Sequence, residues 1–343
     1  MRRGSWELAW PAEPVGTIRR SESSGPKLSG QDHFGVRFLL SRRRVVSRVL
    51  LTGATGFIGR QALAALTAAG HEVHAVARRR GPEASRVVWH EADLLAGCPL
   101  VAQIEPEILV HLAWYAEHRK FWTSLENVRW VEASLGLLRE FAAAGGRRAV
   151  IAGTCAEYEW SGDSYAETAP IAPATLYGAA KHGLHVVAGA LCKQLGVELA
   201  WGRLFFLYGP FESPGRFVPS IVLSLLRGEP APMTDGTQRR DFLHTADAGA
   251  AFAALSDSDL TGAINIGSGV GPSLREVAEA IARHIGRDEL LRVGAVPMGA
   301  SDPPALLADV SRLRDELGWN PKIELSDGLD DVIAWWQEHV AQA

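Results

Sequence analysis

The sequence predicts a doubly wound α/β fold, a parallel sheet covered on both faces by helices, with a second, smaller mixed lobe attached. Three observations carry this. From Val49 onward, short apolar runs of strand length alternate with stretches whose apolar residues recur at helical spacing. The first run, Val49-Leu50-Leu51, passes directly into a glycine-rich turn at Thr52 to Gly59 and then into a helix. After Tyr208 the texture changes to short helices broken by Gly209-Pro210, Pro214-Gly215 and Glu229-Pro230.

Taken in order, strands are expected at Val49 to Leu51, His71 to Ala77, Arg86 to His90, Ile108 to Leu112, Ala149 to Ala152 and Glu198 to Arg203. Helices are expected at Arg60 to Ala69, Val128 to Ala144 and Ala179 to Leu195. Strands separated by helices need right-handed crossovers, which make neighbouring strands parallel. Val218 to Arg227 reads as a helix of the second lobe, and Ala263 to Ile266 as a further sheet strand ahead of a helix at Leu274 to Ile285. The lobe is therefore discontinuous. The expected organisation is 45–207 plus about 241–268 for the sheet domain, and about 208–240 plus 269–343 for the lobe.

Residues 1–44 alternate Pro, Gly, Ser and Arg without a sustained period, as a disordered or misassigned N-terminal extension would. The methionines are Met1, Met233 and Met298, so a start at Val45 or Val46 read from an alternative codon is a further expectation. Mass spectrometry of the native N-terminus decides it.

With 47% hydrophobic and 22% charged residues, the 343-residue chain has globular composition. A formal charge of -4 gives no pull toward nucleic acid. The longest apolar stretches, such as Val45 to Leu51, fall far short of the roughly 20 residues of a membrane-spanning helix. A secretory signal needs an apolar run of roughly 7–15 residues, which 1–30 lacks, so a cytoplasmic location and no membrane partner are expected. Cys98, Cys155 and Cys192 are odd in number and form no CxxC pair, so neither a disulfide framework nor a metal site is expected.

Gly53, Gly56 and Gly59 stand in a turn between strand and helix, where backbone N–H groups and the positive helix end can meet a pyrophosphate. Thr55, Phe57 and Ile58 supply the remaining backbone of that cradle. A dinucleotide is the expected ligand. The second strand runs into Ala77-Arg78-Arg79-Arg80 with no carboxylate at its edge, which favours NADP(H) over NAD(H), Arg78 facing the 2′-phosphate.

Further on, Tyr177 and Lys181 stand four residues apart, hence on one face of a helix. With these motifs in order, the chain resembles the extended short-chain dehydrogenase/reductase family, its epimerase/dehydratase and nucleotide-sugar branch, whose core is a Rossmann fold. The matching segments are Thr52 to Gly59, His111-Leu112-Ala113, Asn127, Gly153 to Tyr158, Tyr177 to Lys181, Arg203 to Pro210 and Arg240 to His244.

The resemblance implies roles position by position. Thr154 hydrogen-bonds the reacting oxygen, Tyr177 exchanges its proton, and Lys181 holds the nicotinamide ribose; Asp93 and Leu94 lie near the adenine and Ala113 under the cofactor. A free phenol titrates near 10, and bringing it to neutrality takes about 4 kcal/mol. A cation at about 4 Å supplies roughly that at an effective dielectric of about 20, so Lys181 is expected to be sufficient, with the oxidised nicotinamide adding to it. Cys155 is read as a small packing residue and His111 as a strand-end packing residue. Arg216 and Arg240 are expected to meet a diphosphate, since a fork of donors matches phosphate oxygens. Trp114, Glu157 and Phe206 are expected at the sugar.

Members that dehydrate their sugar carry an Asp-Glu pair directly after the catalytic Thr, where this chain has Cys155 and Ala156. Epimerases close the second strand with an acid, which is missing. The resemblance therefore implies an NADPH-dependent ketoreductase acting on a nucleotide-linked deoxysugar, a 4-keto-6-deoxyhexose. A nucleotide-sugar epimerase and, more remotely, a non-catalytic dinucleotide sensor are the other readings. A homodimer is compatible with the sequence. Phe206 stands where many members present Asn, and Gly299-Ala300-Ser301-Asp302 lacks the Arg of the segment used near the diphosphate.

Overall fold

The structure, a computed structural model, describes residues 46–299 and 302–340. The extension at 1–44, together with Ala300 and Ser301 of the diphosphate segment, lies outside the described residues.

Seven strands build one sheet: β1 (Arg48–Thr52), β2 (Glu72–Ala77), β3 (Val87–Glu91), β4 (Ile108–His111), β5 (Arg148–Thr154), β6 (Glu198–Leu204) and β7 (Gly262–Ile266). Their order is β7-β6-β5-β4-β1-β2-β3, and every neighbouring pair is parallel. The order reverses between β1 and β4, so the crevice at their C-terminal ends is where a ligand of such a sheet binds. Helices α1 (Gly59–Ala68), α2 (Val101–Ile104), α3 (Glu126–Ala143), α4 (Leu176–Leu195), α5 (Phe217–Leu226), α6 (Thr245–Ser256), α7 (Leu274–Ile285) and α8 (Leu325–His339) complete the described framework.

β1 shows why its sequence is apolar at every position. Val49 and Leu51 join the cluster under α1 and α6, with Ala62, Leu66 and Phe252, whereas Leu50 joins the one under α3 and α4, with Leu138, Phe141 and Leu184. All three side chains are fully buried because both faces of the strand are covered. A third cluster, including Val218, Val222, Val277, Ile281, Val332 and Trp336, joins α5, α7 and α8. Two short parallel pairs support it, Phe206–Tyr208 against Phe242–His244 and Arg239–Arg240 against Ala305 and Leu306.

Two boundaries differ from the sequence reading in ways that matter to chemistry. β5 runs on to Thr154, putting that hydroxyl at the strand end. α4 begins at Leu176 because the Thr175 side chain accepts the Gly178 N–H as an N-cap, so Tyr177 sits in the first turn rather than ahead of the helix. No helix among the described residues is long and apolar enough to cross a membrane.

Candidate active site

The site starts at the end of β1. Gly53 has φ +73°, and a Cβ there would lie 2.8 Å from the Ala113 nitrogen, so a glycine is needed both for the turn and for the close approach of β4. The Gly56 N–H donates to the Gly53 carbonyl at 2.8 Å, folding the loop on itself. Helix α1 starts without a side-chain cap; its Arg60 and Gln61 N–H groups donate to the Gly56 and Ile58 carbonyls at 3.2 and 3.0 Å, and the positive end of the helix faces the loop. Thr55 and Gly56 are exposed, while Phe57 and Ile58 pack against the core. This turn, kept tight because backbone already occupies the space that a Cβ at Gly53 or Gly59 would need, fits a pyrophosphate.

Thr52 and β4 are tied together beneath it. The Thr52 hydroxyl meets His111 Nδ1 at 2.7 Å, His111 Nε2 meets the Ser134 hydroxyl at 2.9 Å, and the Ala113 N–H donates to Thr52 Oγ1 at 3.3 Å. Burial brings the His111 pKa down to about 3, so the ring is neutral and serves packing. Asp93 caps a short turn by accepting the Leu95 N–H at 3.1 Å, while Leu94 packs into the core. Arg78 is exposed directly beyond β2, and Arg80 pairs with Glu91 at 3.3 Å.

Across the crevice, Thr154, Tyr177 and Lys181 come together. The Thr154 hydroxyl accepts the Ala156 N–H at 3.2 Å and lies near enough to the Tyr177 phenol to pull its pKa down against burial. The Tyr177 ring is held edge-on by Phe121 and Trp122, with centroids 4.9 and 5.7 Å away. Lys181 Nζ donates to the Ala152 carbonyl at 2.8 Å and lies 3.7 Å from the centre of the Trp114 ring.

Four expectations are corrected here. Lys181 does not by itself bring the phenol toward neutrality. Burial pushes Tyr177 up to about 12, with Thr154 and Arg216 pulling the other way, and burial brings Lys181 itself down to about 7 against the attraction of Glu157. Glu157 does not line a sugar pocket: its carboxylate is 0% exposed and faces inward between β5, β6 and α4. Trp114 uses its ring under the Lys181 ammonium and its indole N–H on Asn127 Oδ1 at 2.9 Å, so it braces the site instead of facing a sugar. Arg240 is buried, with its guanidinium on Asp302 at 2.6 Å and over the Phe206 ring, so it is already committed before any diphosphate arrives. Of the two expected diphosphate arginines, Arg216 is the open one, at 37% side-chain exposure.

Cys155 is buried and its thiol pushed up to about 12 by that burial, an inert packing group beside Thr154. Glu212, which the sequence gave no reason to single out, lies buried 3.1 Å from Arg216 Nε, and burial pushes its carboxyl up to about 8. The folded state thus holds a proton that the unfolded state gives up near pH 4.5, so its contribution is full at acid pH and is lost as pH rises through about 8. Thermal melts should show wild type losing ground steadily against Glu212→Gln between about pH 4.5 and about pH 8, and no further above that. A constant difference would mean that Glu212 is ionised throughout.

A parallel doubly wound sheet with a glycine cradle at its switch point and a Thr-Tyr-Lys group across the crevice defines a dinucleotide-dependent oxidoreductase of the short-chain dehydrogenase type. Comparison with known proteins agrees. The model of the NAD dependent epimerase/dehydratase family matches residues 49–267, and the chain belongs to that family. UDP-glucuronic acid decarboxylase 1 of Xenopus tropicalis is 26% identical over 349 aligned positions, covering 96% of this chain and 80% of that protein. Among solved structures, MoeE5 in complex with UDP-glucuronic acid and NAD is 29% identical with a TM-score of 0.75, covering 85% of this chain and 99% of that one. A dTDP-glucose 4,6-dehydratase double mutant from Streptomyces venezuelae, with NAD bound, is 26% identical with a TM-score of 0.76, covering 86% of this chain and 98% of that one.

Proposed function

We propose that this protein is an NADPH-dependent ketoreductase that reduces a keto group, at C4, of a nucleotide-linked 6-deoxysugar. The observation that carries the reading is the convergence of Thr154, at the end of β5, with Tyr177 and Lys181 of α4 beside a chain segment, Cys155-Ala156, that offers no acid: one residue is a buried thiol and the other an alanine. Reduction of a ketone needs one proton at oxygen, and a phenol backed by a hydroxyl supplies it; dehydration needs a further acid and base, which these positions lack. The bound nicotinamide supplies the hydride.

In this reading the glycine loop at 53–59 holds the pyrophosphate, Lys181 bonds the nicotinamide ribose and Arg78 pairs with the 2′-phosphate. Thr154 steadies the keto oxygen while Tyr177 donates its proton. Arg216 faces the diphosphate of the substrate, with Phe206 at the sugar. A nucleotide-sugar epimerase is the second reading, and the NAD carried by solved neighbours is the coenzyme that this reading uses.

The experiment that tests this follows NADPH and NADH oxidation with a panel of nucleotide-linked 4-keto-6-deoxysugars. NADPH consumption with at least one member is expected. No consumption, with NAD retained through purification and C4 epimers interconverted, would replace the proposal by the epimerase. Arg78→Ala should raise KM for NADPH at least tenfold, the loss of one charge-assisted phosphate contact, and leave KM for NADH unchanged. Equal changes for both coenzymes would take Arg78 out of the 2′-phosphate site.

A further inference from the structure

We propose that Phe211 is a positioning residue for the coenzyme turn: its ring pins Arg60, and through Arg60 the loop at 209–216 holds the glycine turn at 53–59 in shape. The inference rests on the coenzyme role given above to that turn.

Phe211 does not serve the turn it occupies. Gly209-Pro210-Phe211-Glu212 closes with the Glu212 N–H on the Gly209 carbonyl at 3.4 Å, and Phe211 has φ +69°. A turn with Pro second and a left-handed third residue favours Gly or Asn in that third place, and a bulky side chain there is an outlier. Such a conformation persists only where the surroundings over-determine it. Burial does not account for it, since Phe211 is 46% exposed.

The contacts of the ring do. The Arg60 guanidinium carbon lies 3.7 Å from the centre of the Phe211 ring, and the Trp335 ring of α8 has its centroid 4.9 Å away. Trp335 is itself fixed, stacked on His339 at 4.1 Å and meeting the buried Trp336 edge-on at 4.6 Å. Phe211 therefore has a firm support in the C-terminal helix, and Arg60 is the group it holds.

Arg60 carries that support to the coenzyme turn. Its Nη2 donates to the Thr55 carbonyl at 2.8 Å and its Nε to the Gly56 carbonyl at 3.3 Å. Thr55 and Gly56 are both exposed, so core packing does not fix this stretch, and the two donors from Arg60 tie it down. Arg60 is the second residue of α1, where the positive end of the helix opposes a cation. A charge so placed is explained by the two carbonyls it orients and by the anion that the turn is shaped to meet.

Hydrogen–deuterium exchange without coenzyme reads the turn directly, because the Gly56 N–H is bonded to the Gly53 carbonyl at 2.8 Å and the Arg60 N–H to the Gly56 carbonyl at 3.2 Å. Phe211→Gly suits the turn at 209–212 and deletes the ring; exchange across 53–60 should quicken by about threefold or more, the scale of one exposed cation–π contact. Phe211→Tyr keeps the ring and should exchange as wild type does. Arg60→Met removes the ring contact and both hydrogen bonds, so it should loosen the turn at least as much as Phe211→Gly, and combining the two should add nothing to Arg60→Met alone. If Phe211 served only its own turn, Gly would hold that turn at least as well, and exchange no faster than wild type in Phe211→Gly overturns the proposal. Faster exchange in Phe211→Tyr, or effects that multiply in the double variant, overturns it too, since the ring would then not act through Arg60. Affinities for NADP+ and NAD+, titrated by fluorescence on the same variants, should weaken in the same order, by about threefold or more for Phe211→Gly. A loosened turn with both affinities unchanged would end the positioning role. The exchange arm needs neither coenzyme nor substrate and the titration uses both coenzymes, so failure here is distinguishable from failure of the ketoreductase reading.

Discussion

Replacing Tyr177 with Phe is expected to cut turnover by about two to four orders of magnitude, the usual contribution of a positioned acid or base. Coenzyme affinity should change less than twofold. The asymmetry follows from the geometry. The Tyr177 ring is fixed by edge-on contacts with Phe121 and Trp122, and its backbone N–H donates to the Trp122 carbonyl at 3.1 Å. A Phe ring satisfies all of these and deletes only the hydroxyl. The phenol also has a steep electrostatic task, since it rests at about 12 in this structure. At neutral pH it is the protonated donor that a reductase needs; the phenolate left once its proton has gone to the keto oxygen must draw on charge brought into the site, and it takes a proton back from solvent before the next turnover. Single-turnover kinetics with NADPH and a 4-keto sugar, beside coenzyme titration by fluorescence, measure the two effects separately. Unchanged turnover would remove Tyr177 from the chemistry, and a tenfold weaker coenzyme would mean that the residue is structural.

What could be read from the sequence was local. β1 announces itself because a strand covered on both faces is apolar throughout, and the glycine turn because three missing side chains at fixed spacing have few other uses. Tyr177 and Lys181 were legible for the same reason, their spacing being set by a helical turn. The parts that were misread depend on partners far along the chain. Glu157 is claimed by Arg203, 46 residues away, and Arg240 by Asp302, 62 residues away. Nothing in the neighbourhood of Glu157 says that it turns inward, because the carboxylate is tolerable there only once β6 has brought Arg203 and Trp201 alongside. The phenol was misjudged for a related reason: spacing places Lys181 on the right face, but burial raises Tyr177 and brings the Lys181 amine itself down to about 7, which weakens the cation meant to help.

Gly59→Ala is expected to have the second large effect, and it separates the cradle from ordinary glycine chemistry. Alanine is usually the better helix residue, so the substitution at the first position of α1 should help if nothing else intervened. Here the added Cβ would lie 1.9 Å from the Gly53 carbonyl oxygen and 2.6 Å from its carbon, and both are backbone atoms that cannot rotate away. Either α1 retreats from the sheet or the 53–56 turn opens, and both withdraw N–H groups from the pyrophosphate. The expected result is a loss of about 1–3 kcal/mol in stability, the common scale of overpacking, with coenzyme affinity down at least tenfold. Gly183 in α4 is the control, because a Cβ there meets nothing within 4 Å. Gly183→Ala should raise stability by roughly 0.5–1 kcal/mol and leave coenzyme affinity alone. Chemical denaturation and coenzyme titration of the two variants in parallel check this. If Gly59→Ala bound coenzyme as tightly as Gly183→Ala, the close contact between helix and turn would not be what shapes the cradle, and the pyrophosphate would have to be placed elsewhere along the sheet edge.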